Sequence, residues 1–375
     1  VHKILIVGPA YPLRGGLATY NERLAREFKA MGHSCDILSF SLQYPSLLFP
    51  GKTQYSTDAP PEDLNVMSEI NSINPINWVT VGNKIKKARY DVVVFRYWMS
   101  FMAPAFGTLA RIIKSNRHTK IIAITDNLFP HEKRFFDRAF TGWFIPRCDA
   151  YLTMSHSVKQ QLQQYVPGKN ITYTPHPMYD MFGAKTDKGE ARKKLKLNEH
   201  DRYLLFFGFI REYKGLGLLL QAMADERVRQ LNVKLIVAGE FYEDAKPYYR
   251  QLEELNLNEH VILHTDFIPN NDVCTYFSAA DAVIQPYLNA TQSGVTQIAY
   301  FYNKPMIVTN VGGLAELVPD GEAGYVCEVN ATAIADAIVK FYTQADWNAF
   351  EKALEREKQK FTWSTVCNEL LKLAE

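Results

Sequence analysis

Short apolar runs that do not alternate, separated by amphipathic helical stretches, occur in two successive series and constrain this chain more than any other feature. "HKILIVG" (2–8) lacks period-two alternation and so reads as a strand buried on both faces, the kind found in parallel sheets. The stretch 17–33 then places Leu17, Tyr20, Leu24 and Phe28 on one helical face, with Gly32 as a stop signal. Strands recur at 35–40, 91–97, 120–125 and 149–154, with helical segments between them. A charged segment, "KTDKGEARKKLKLNEHD" (185–201), precedes a second series of strands at 202–209, 233–240, 260–265, 281–286 and 305–309. Strands alternating with helices predict doubly wound parallel sheets.

The expectation is an α/β protein of two Rossmann-like domains with a linker near 185. A length of 375 residues fits two domains, and 47% apolar residues suffice for ordinary cores. A formal charge of +2 is too balanced for a protein that wraps nucleic acid. The five cysteines (35, 148, 274, 327, 367) form no CxxC pair, so reduced thiols are expected rather than a metal or disulfide framework. Lys3 and Ile4 lead directly into a strand, which reads as no signal peptide. The apolar stretch near 97–113 is broken by Pro104 and Arg111 and is too short to span a bilayer.

Ligands of such sheets bind beyond the carboxyl ends of the strands. Four loops there could carry chemistry. In "GPAYPLRGGLATY" (8–20), Gly15 and Gly16 precede a helix whose first amides favour an anion, though a tight turn alone would also explain them. In "GFIREYKG" (208–215), Arg211 and Lys214 place two cations at a strand end, suited to a diphosphate. In "QPYLNATQSGVTQIAYFYNKP" (285–305), a polar loop without carboxylates runs into a helix. Its first amides, at Ser293, Gly294 and Val295, are free to meet an anion, and Gln297 lies one turn on. In "ITDNLFPHEKRFFDR" (124–138), Asp126, Asn127, His131 and Glu132 crowd together, and His131 could donate to a substrate or relay a proton.

"GFIREYKG", "FIPNNDVCTYFSAADAVIQPY" and "ATQSGVTQIAYFYNKPMIVTNVGGLAELVPDGEAGYV", in that order, resemble the carboxy-terminal half of glycosyltransferase family 4. "PLRGG", "DNLFPHEK" and the closing "FTW" (361–363) agree with it, so the resemblance covers essentially the whole chain. It implies a GT-B fold: an acceptor domain at 1–184, a nucleotide-sugar donor domain at 185–361, and a final helix at 362–375 returning to the first, with Trp363 packed at the crossing. It also implies retaining transfer, no bound metal and no cofactor beyond a nucleotide-diphosphate sugar donor, UDP or GDP. Carried over by position, Lys214 matches the phosphate lysine; Phe209 replaces the usual arginine, whose charge Arg211 supplies. Phe267 and Ile268 would meet the base through backbone, the amides at 293–295 the phosphates, and Gly16 the donor and acceptor. His131 matches the first-domain active-site histidine.

The departure is at 289–297. Where the family commonly carries two glutamates eight residues apart, this chain has Asn289 and Gln297. An amide both accepts and donates, so Gln297 would hold a ribose through a different pattern, with Thr291 and Gln292 sharing the work. A hydrogen bond to a charged group is worth ~1.5–3 kcal/mol against ~1 for a neutral one, so weaker donor binding is expected. A nucleotide-sugar epimerase, a phosphorylase and a non-catalytic binding or scaffolding protein remain as alternatives. The expected acceptor is a glycan or lipid-linked glycan, as in surface polysaccharide or glycoconjugate synthesis. The stretch 97–120, with the basic segment 84–90, could rest on the inner face of the cell membrane of an otherwise cytoplasmic protein. The simpler reading packs Trp98, Phe101 and Phe106 in the core.

Overall fold

The computed structural model describes residues 1–45, 53–56, 59–129, 135–290 and 293–375. The chain divides into two units: Val1–Pro175 with Trp363–Glu375, and His176–Thr362.

The first unit runs through β1 (Lys3–Val7), α1 (Gly16–Ala30), β2 (Ser34–Leu42), β3 (Asn65–Asn71), α2 (Pro75–Ala88), β4 (Val92–Tyr97), α3 (Ala103–Lys114), β5 (Lys120–Thr125), α4 (Asp137–Phe144), β6 (Ala150–Thr153), α5 (His156–Tyr165) and β7 (Asn170–Tyr173). Its sheet is parallel, in the order β3-β2-β1-β4-β5-β6-β7. Ile4 to Val7 are fully buried, as their unbroken apolar run requires. Tyr20, Leu24 and Phe28 seat α1 on the sheet, and Gly32 adopts φ 87° just beyond its end. Phe106 is fully buried, and Trp98 and Phe101 pack against the same core.

The second unit contains α6 (Lys188–Lys194), β8 (Arg202–Phe207), α7 (Leu216–Met223), α8 (Glu226–Gln230), β9 (Val233–Ala238), α9 (Lys246–Glu254), β10 (Val261–His264), α10 (Asn270–Ala279), β11 (Ala282–Gln285), α11 (Gly294–Phe301), β12 (Met306–Thr309), α12 (Gly312–Glu316), β13 (Gly324–Cys327), α13 (Ala331–Gln344) and α14 (Trp347–Lys358). Its parallel order is β10-β9-β8-β11-β12-β13. The last helix, α15 (Trp363–Ala374), belongs to the first unit. There Trp363 is buried, with its ring 4.8 Å from that of Tyr20 and the Arg23 guanidinium 5.1 Å above it.

The second unit begins before the charged segment. Tyr302 Oη donates to the carbonyls of Phe182 (3.0 Å) and Gly183 (2.9 Å), which fastens this stretch to α11. The charged segment is therefore not a free linker. Arg192 of α6 is buried, and donates to the Ala279 carbonyl at 3.0 Å and to Asp281 at 3.1 Å. Strands β3, β7 and β13 lie outside the apolar runs read from the sequence. Each is the edge of its sheet. Edge strands need only partial burial, so residues such as Ser68, Glu69 and Thr172 interrupt the apolar pattern there.

Candidate active site

In each sheet the strand order reverses once, between β1 and β4 and between β8 and β11. A reversal opens a crevice at the carboxyl ends of the two strands, because their connections leave in opposite directions. In the second unit the loops leaving β8 and β11 carry the residues of interest.

Arg211 is extended backbone ahead of a single 3-10 turn, Glu212–Lys214, that leads into α7. The turn folds Lys214 back over the end of β8. Its side chain is buried, 9% exposed, and carries no ion pair among the described residues. Arg211, half-buried with its guanidinium 5.3 Å over the Tyr242 ring, carries none either. Burial pushes the Lys214 ammonium down from the ordinary 10.5 to about 8, and the Arg211 charge acts in the same direction. Two cations thus share a partly desolvated strand end, neither of them in an ion pair among the described residues. That arrangement suits an anion carrying two charges.

The β8 and β11 loops meet at Gly208. A Cβ there would stand 2.9 Å from Lys214 Nζ and 3.7 Å from Val295 Cγ2. The backbone amide of Leu288 donates to the Tyr213 carbonyl at 2.7 Å, and Lys214 Nζ lies 5.7 Å over the Tyr287 ring. Ser293 is the N-cap of α11 but does not cap it: its hydroxyl donates to Gln285 Oε1 at 2.7 Å instead. Thr296 Oγ1 donates to the same oxygen at 3.2 Å. Ser293 therefore leaves the first-turn amides of α11 uncapped, and Val295 of that turn lies beside the same Gly208 as Lys214. A Cβ on Gly294 would lie 2.9 Å from the Tyr179 ring, so the glycine makes room for Tyr179.

The two amides in place of the expected carboxylates are placed differently. Asn289 is exposed in the loop. Gln297 is fully buried, and neither its Oε1 nor its Nε2 has a hydrogen-bond partner among the described residues; Gln285 Nε2 is likewise unpartnered. Thr291 and Gln292 lie outside the described residues. The sequence did not point to Gln285, whose apolar strand context hid it, or to the aromatic row at the next loops. Phe209 stacks on Tyr242 at 4.1 Å between centroids, with Phe267 at 6.2 Å, joining the loops after β8, β9 and β10. Ile268 follows Phe267, half-buried.

In the first unit Gly15, at φ 107°, turns the chain into α1, and Gly16 is exposed as its first residue. Asp126, at the end of β5, is buried, and both its oxygens accept from Arg96, Nε at 2.8 Å and Nη2 at 2.7 Å. The Arg96 guanidinium lies 3.9 Å over the Tyr20 ring. Asp126 is thus half of a buried ion pair that joins β4 to β5 beneath α1. Asn127 follows it, half-buried; His131 and Glu132 lie outside the described residues. Among the described residues no group of three or more His, Cys, Asp or Glu is placed to hold a metal ion, and no helix is long and apolar enough to cross a membrane.

This architecture and sequence have relatives. The family Glycosyl transferases group 1 matches residues 187–360, and Glycosyltransferase Family 4 matches residues 14–178. The chain is 23% identical over 380 residues to the N-acetyl-alpha-D-glucosaminyl L-malate synthase of Bacillus anthracis, covering 96% of this chain and 93% of that one. It is 24% identical to the lipopolysaccharide 1,2-N-acetylglucosaminetransferase of Salmonella typhimurium, covering 68% and 67%. Among solved structures, the sucrose-phosphate synthase of Thermosynechococcus elongatus superposes with a TM-score of 0.76 at 15% identity, covering 99% of this chain and 98% of that one. HepE of Anabaena, in complex with UDP and glucose, superposes with a TM-score of 0.74 at 16% identity, covering 99% of each.

Proposed function

Because the chain belongs to glycosyltransferase family 4, its two halves matching the two family domains in order, we propose that it transfers a sugar from a nucleotide-diphosphate sugar to a hydroxyl of a glycan or lipid-linked glycan, retaining the anomeric configuration and using no metal. The observation that carries this reading is the pair of cations, Arg211 and Lys214, with no ion pair among the described residues, near the start of α11 that Ser293 leaves uncapped. The diphosphate, of UDP or GDP, lies against them. Phe267 and Ile268 flank the base, and Gln297 offers the ribose an amide in place of a carboxylate.

In the transfer, the acceptor oxygen bonds to the anomeric carbon on the face from which the diphosphate departs. The bond between that carbon and the phosphate oxygen breaks, and the leaving oxygen takes the acceptor's proton. Lys214, Arg211 and the α11 amides stabilise the charge that grows on the leaving phosphate, an electrostatic contribution worth ~10²–10³ in rate for a single donor. His131, Asn127, Glu132 and the Gly15–Gly16 turn are proposed to serve the acceptor and the transferred sugar from the first unit. A role in making surface polysaccharide or another glycoconjugate follows from such an acceptor.

The test is calorimetric titration with UDP, GDP and ADP in parallel, without added metal. Micromolar binding of one of them, lost in Lys214→Ala, is the expected result and names the donor class. Absence of binding by all three would replace transfer with the scaffolding alternative.

A further inference from the structure

We propose that Gln285 is a positioning residue: it draws off the hydroxyl that would otherwise cap α11, and so keeps the first-turn amides open to the phosphates. This rests on the diphosphate site proposed above. Ser293 has what a helix cap needs. Serine is among the residue types that cap best, it stands here at the N-cap position, and its backbone is extended, at φ −139° and ψ 120°. Asn74, Asp187, Asp225, Asn330 and Asp346 each cap a helix of this chain through a side-chain oxygen. Ser293 does not.

The hydroxyl is turned away because Gln285 takes its proton. Ser293 Oγ donates to Gln285 Oε1 at 2.7 Å, and Thr296 Oγ1 donates to the same atom at 3.2 Å. With its proton committed, Ser293 Oγ is left to accept from Tyr287 Oη at 3.4 Å. An amide oxygen can accept two protons at once and carries no net charge. A carboxylate at 285 would accept the same two, but it would set its own negative charge at the helix start, in competition with a diphosphate. Gln285 is also fixed in place. It is the last residue of β11, 1% exposed, and paired with Val308 of β12. Thr309 Oγ1 donates to its carbonyl at 3.4 Å and to that of Tyr287 at 2.6 Å.

Buried donors at the same place lack partners. Gln285 Nε2 and Gln297 Nε2 have no hydrogen-bond partner among the described residues. The oxygen of Gln285 is anchored to Ser293 and Thr296, so its nitrogen lies at the start of α11 too, and Gln297 follows one turn on. A buried donor without a partner is costly, and an oxygen-rich ligand at this helix start would supply the missing acceptors.

The experiment joins calorimetric titration with UDP, GDP and ADP to amide hydrogen exchange, both on the full chain. In Gln285→Met the released Ser293 hydroxyl should cap α11. Exchange of the Val295 or Thr296 amide should slow, and the bound nucleoside diphosphate should weaken, each about fivefold. Removing that hydroxyl as well, in Gln285→Met/Ser293→Ala, should recover about fivefold in affinity over Gln285→Met. A glutamine that only supported the fold would give no such rescue, because the second substitution would add to the first. Ser293→Asp, whose side chain can only accept, should cap the helix with Gln285 in place, slowing the same amide and weakening binding. It reports even if Gln285→Met does not fold. Gln285→Met binding as tightly as the parent overturns the proposal, as does a double variant no better than Gln285→Met, or Ser293→Asp binding like the parent. A parent that binds none of the three nucleotides overturns the diphosphate site and the proposal with it.

Discussion

The Lys214 ammonium occupies the space that any side chain on Gly208 would need: a Cβ there would stand 2.9 Å from Nζ, and Gly208 itself sits at φ +96°. The glycine and the lysine are therefore one device. The first leaves the end of β8 bare so that the second can fold over it. Held there buried and without an ion pair among the described residues, the ammonium costs the empty protein stability that a bound diphosphate returns. Lys214→Met should raise the stability of the ligand-free protein by ~1–3 kcal/mol in urea unfolding, while costing nucleoside diphosphate binding ~2–5 kcal/mol. Gly208→Ala should lose on both measurements. A Lys214→Met protein that binds as tightly as the parent would remove the lysine from the site.

The same burial makes binding depend on pH in a predictable sense. Lys214 sits near 8 in the folded protein and 10.5 when unfolded, so between those values the unfolded chain holds more protons, and stability rises with pH across that window. Below 8 the lysine is charged in both states and the penalty is constant. A diphosphate favours the charged form, so its binding at pH 8 should draw in about half a proton per nucleotide. Titrations in two buffers of different ionisation heat measure this uptake. It should shrink toward zero at pH 6.5 and vanish in Lys214→Met.

How far the sequence speaks for itself varies by element. Ile4–Val7 and Val92–Phe95 read correctly as buried parallel strands because apolar side chains are needed on both faces there. Edge strands β3 and β7 were silent, since a half-covered strand tolerates Ser68 or Thr172. Arg211 and Lys214 stand out in the sequence as two cations between glycines, and the fold places them at the end of β8, Lys214 buried and Arg211 half-buried. Gln285 does not stand out, because nothing in "DAVIQP" shows that its amide would organise Ser293 and Thr296. Asp126 illustrates the opposite problem: its strand-end position suggested chemistry, and the partner that claims it, Arg96, lies thirty positions earlier in the chain.

That pairing carries its own prediction. With both carboxylate oxygens held by a guanidinium that is itself buried over Tyr20, Asp126→Asn leaves Arg96 facing a neutral group, and should destabilise the protein by ~3–5 kcal/mol. The double variant Arg96→Met/Asp126→Leu should recover much of the loss, because both charges leave together. If Asp126 instead touched the acceptor, Asp126→Asn would alter KM for the acceptor at full stability, and the double variant would rescue nothing.

Gln297 provides the sharpest separation between folding and binding. Its amide is fully buried with both polar atoms unpartnered among the described residues, and a buried polar group left without partners costs ~1–3 kcal/mol. Gln297→Leu, close in volume and without polar atoms, should therefore match or exceed the parent's stability. If the amide serves the ribose, the same substitution should weaken the nucleoside diphosphate by ~1 kcal/mol. It should also abolish discrimination against the 2′-deoxy form, a comparison in which the phosphate contacts are unchanged. Gln297→Glu, which writes the family's usual carboxylate into this pocket, places a charge on a fully buried side chain that has no hydrogen-bond partner among the described residues. The new carboxyl would titrate above the ordinary ~4.3 in the folded state, so the destabilisation should be absent below about pH 4 and grow as the pH rises through the unfolded value. A Gln297→Glu variant as stable at pH 7 as at pH 4 would mean that the site already supplies donors to that position, and the weaker donor binding expected of the amide would then have to be sought in Asn289.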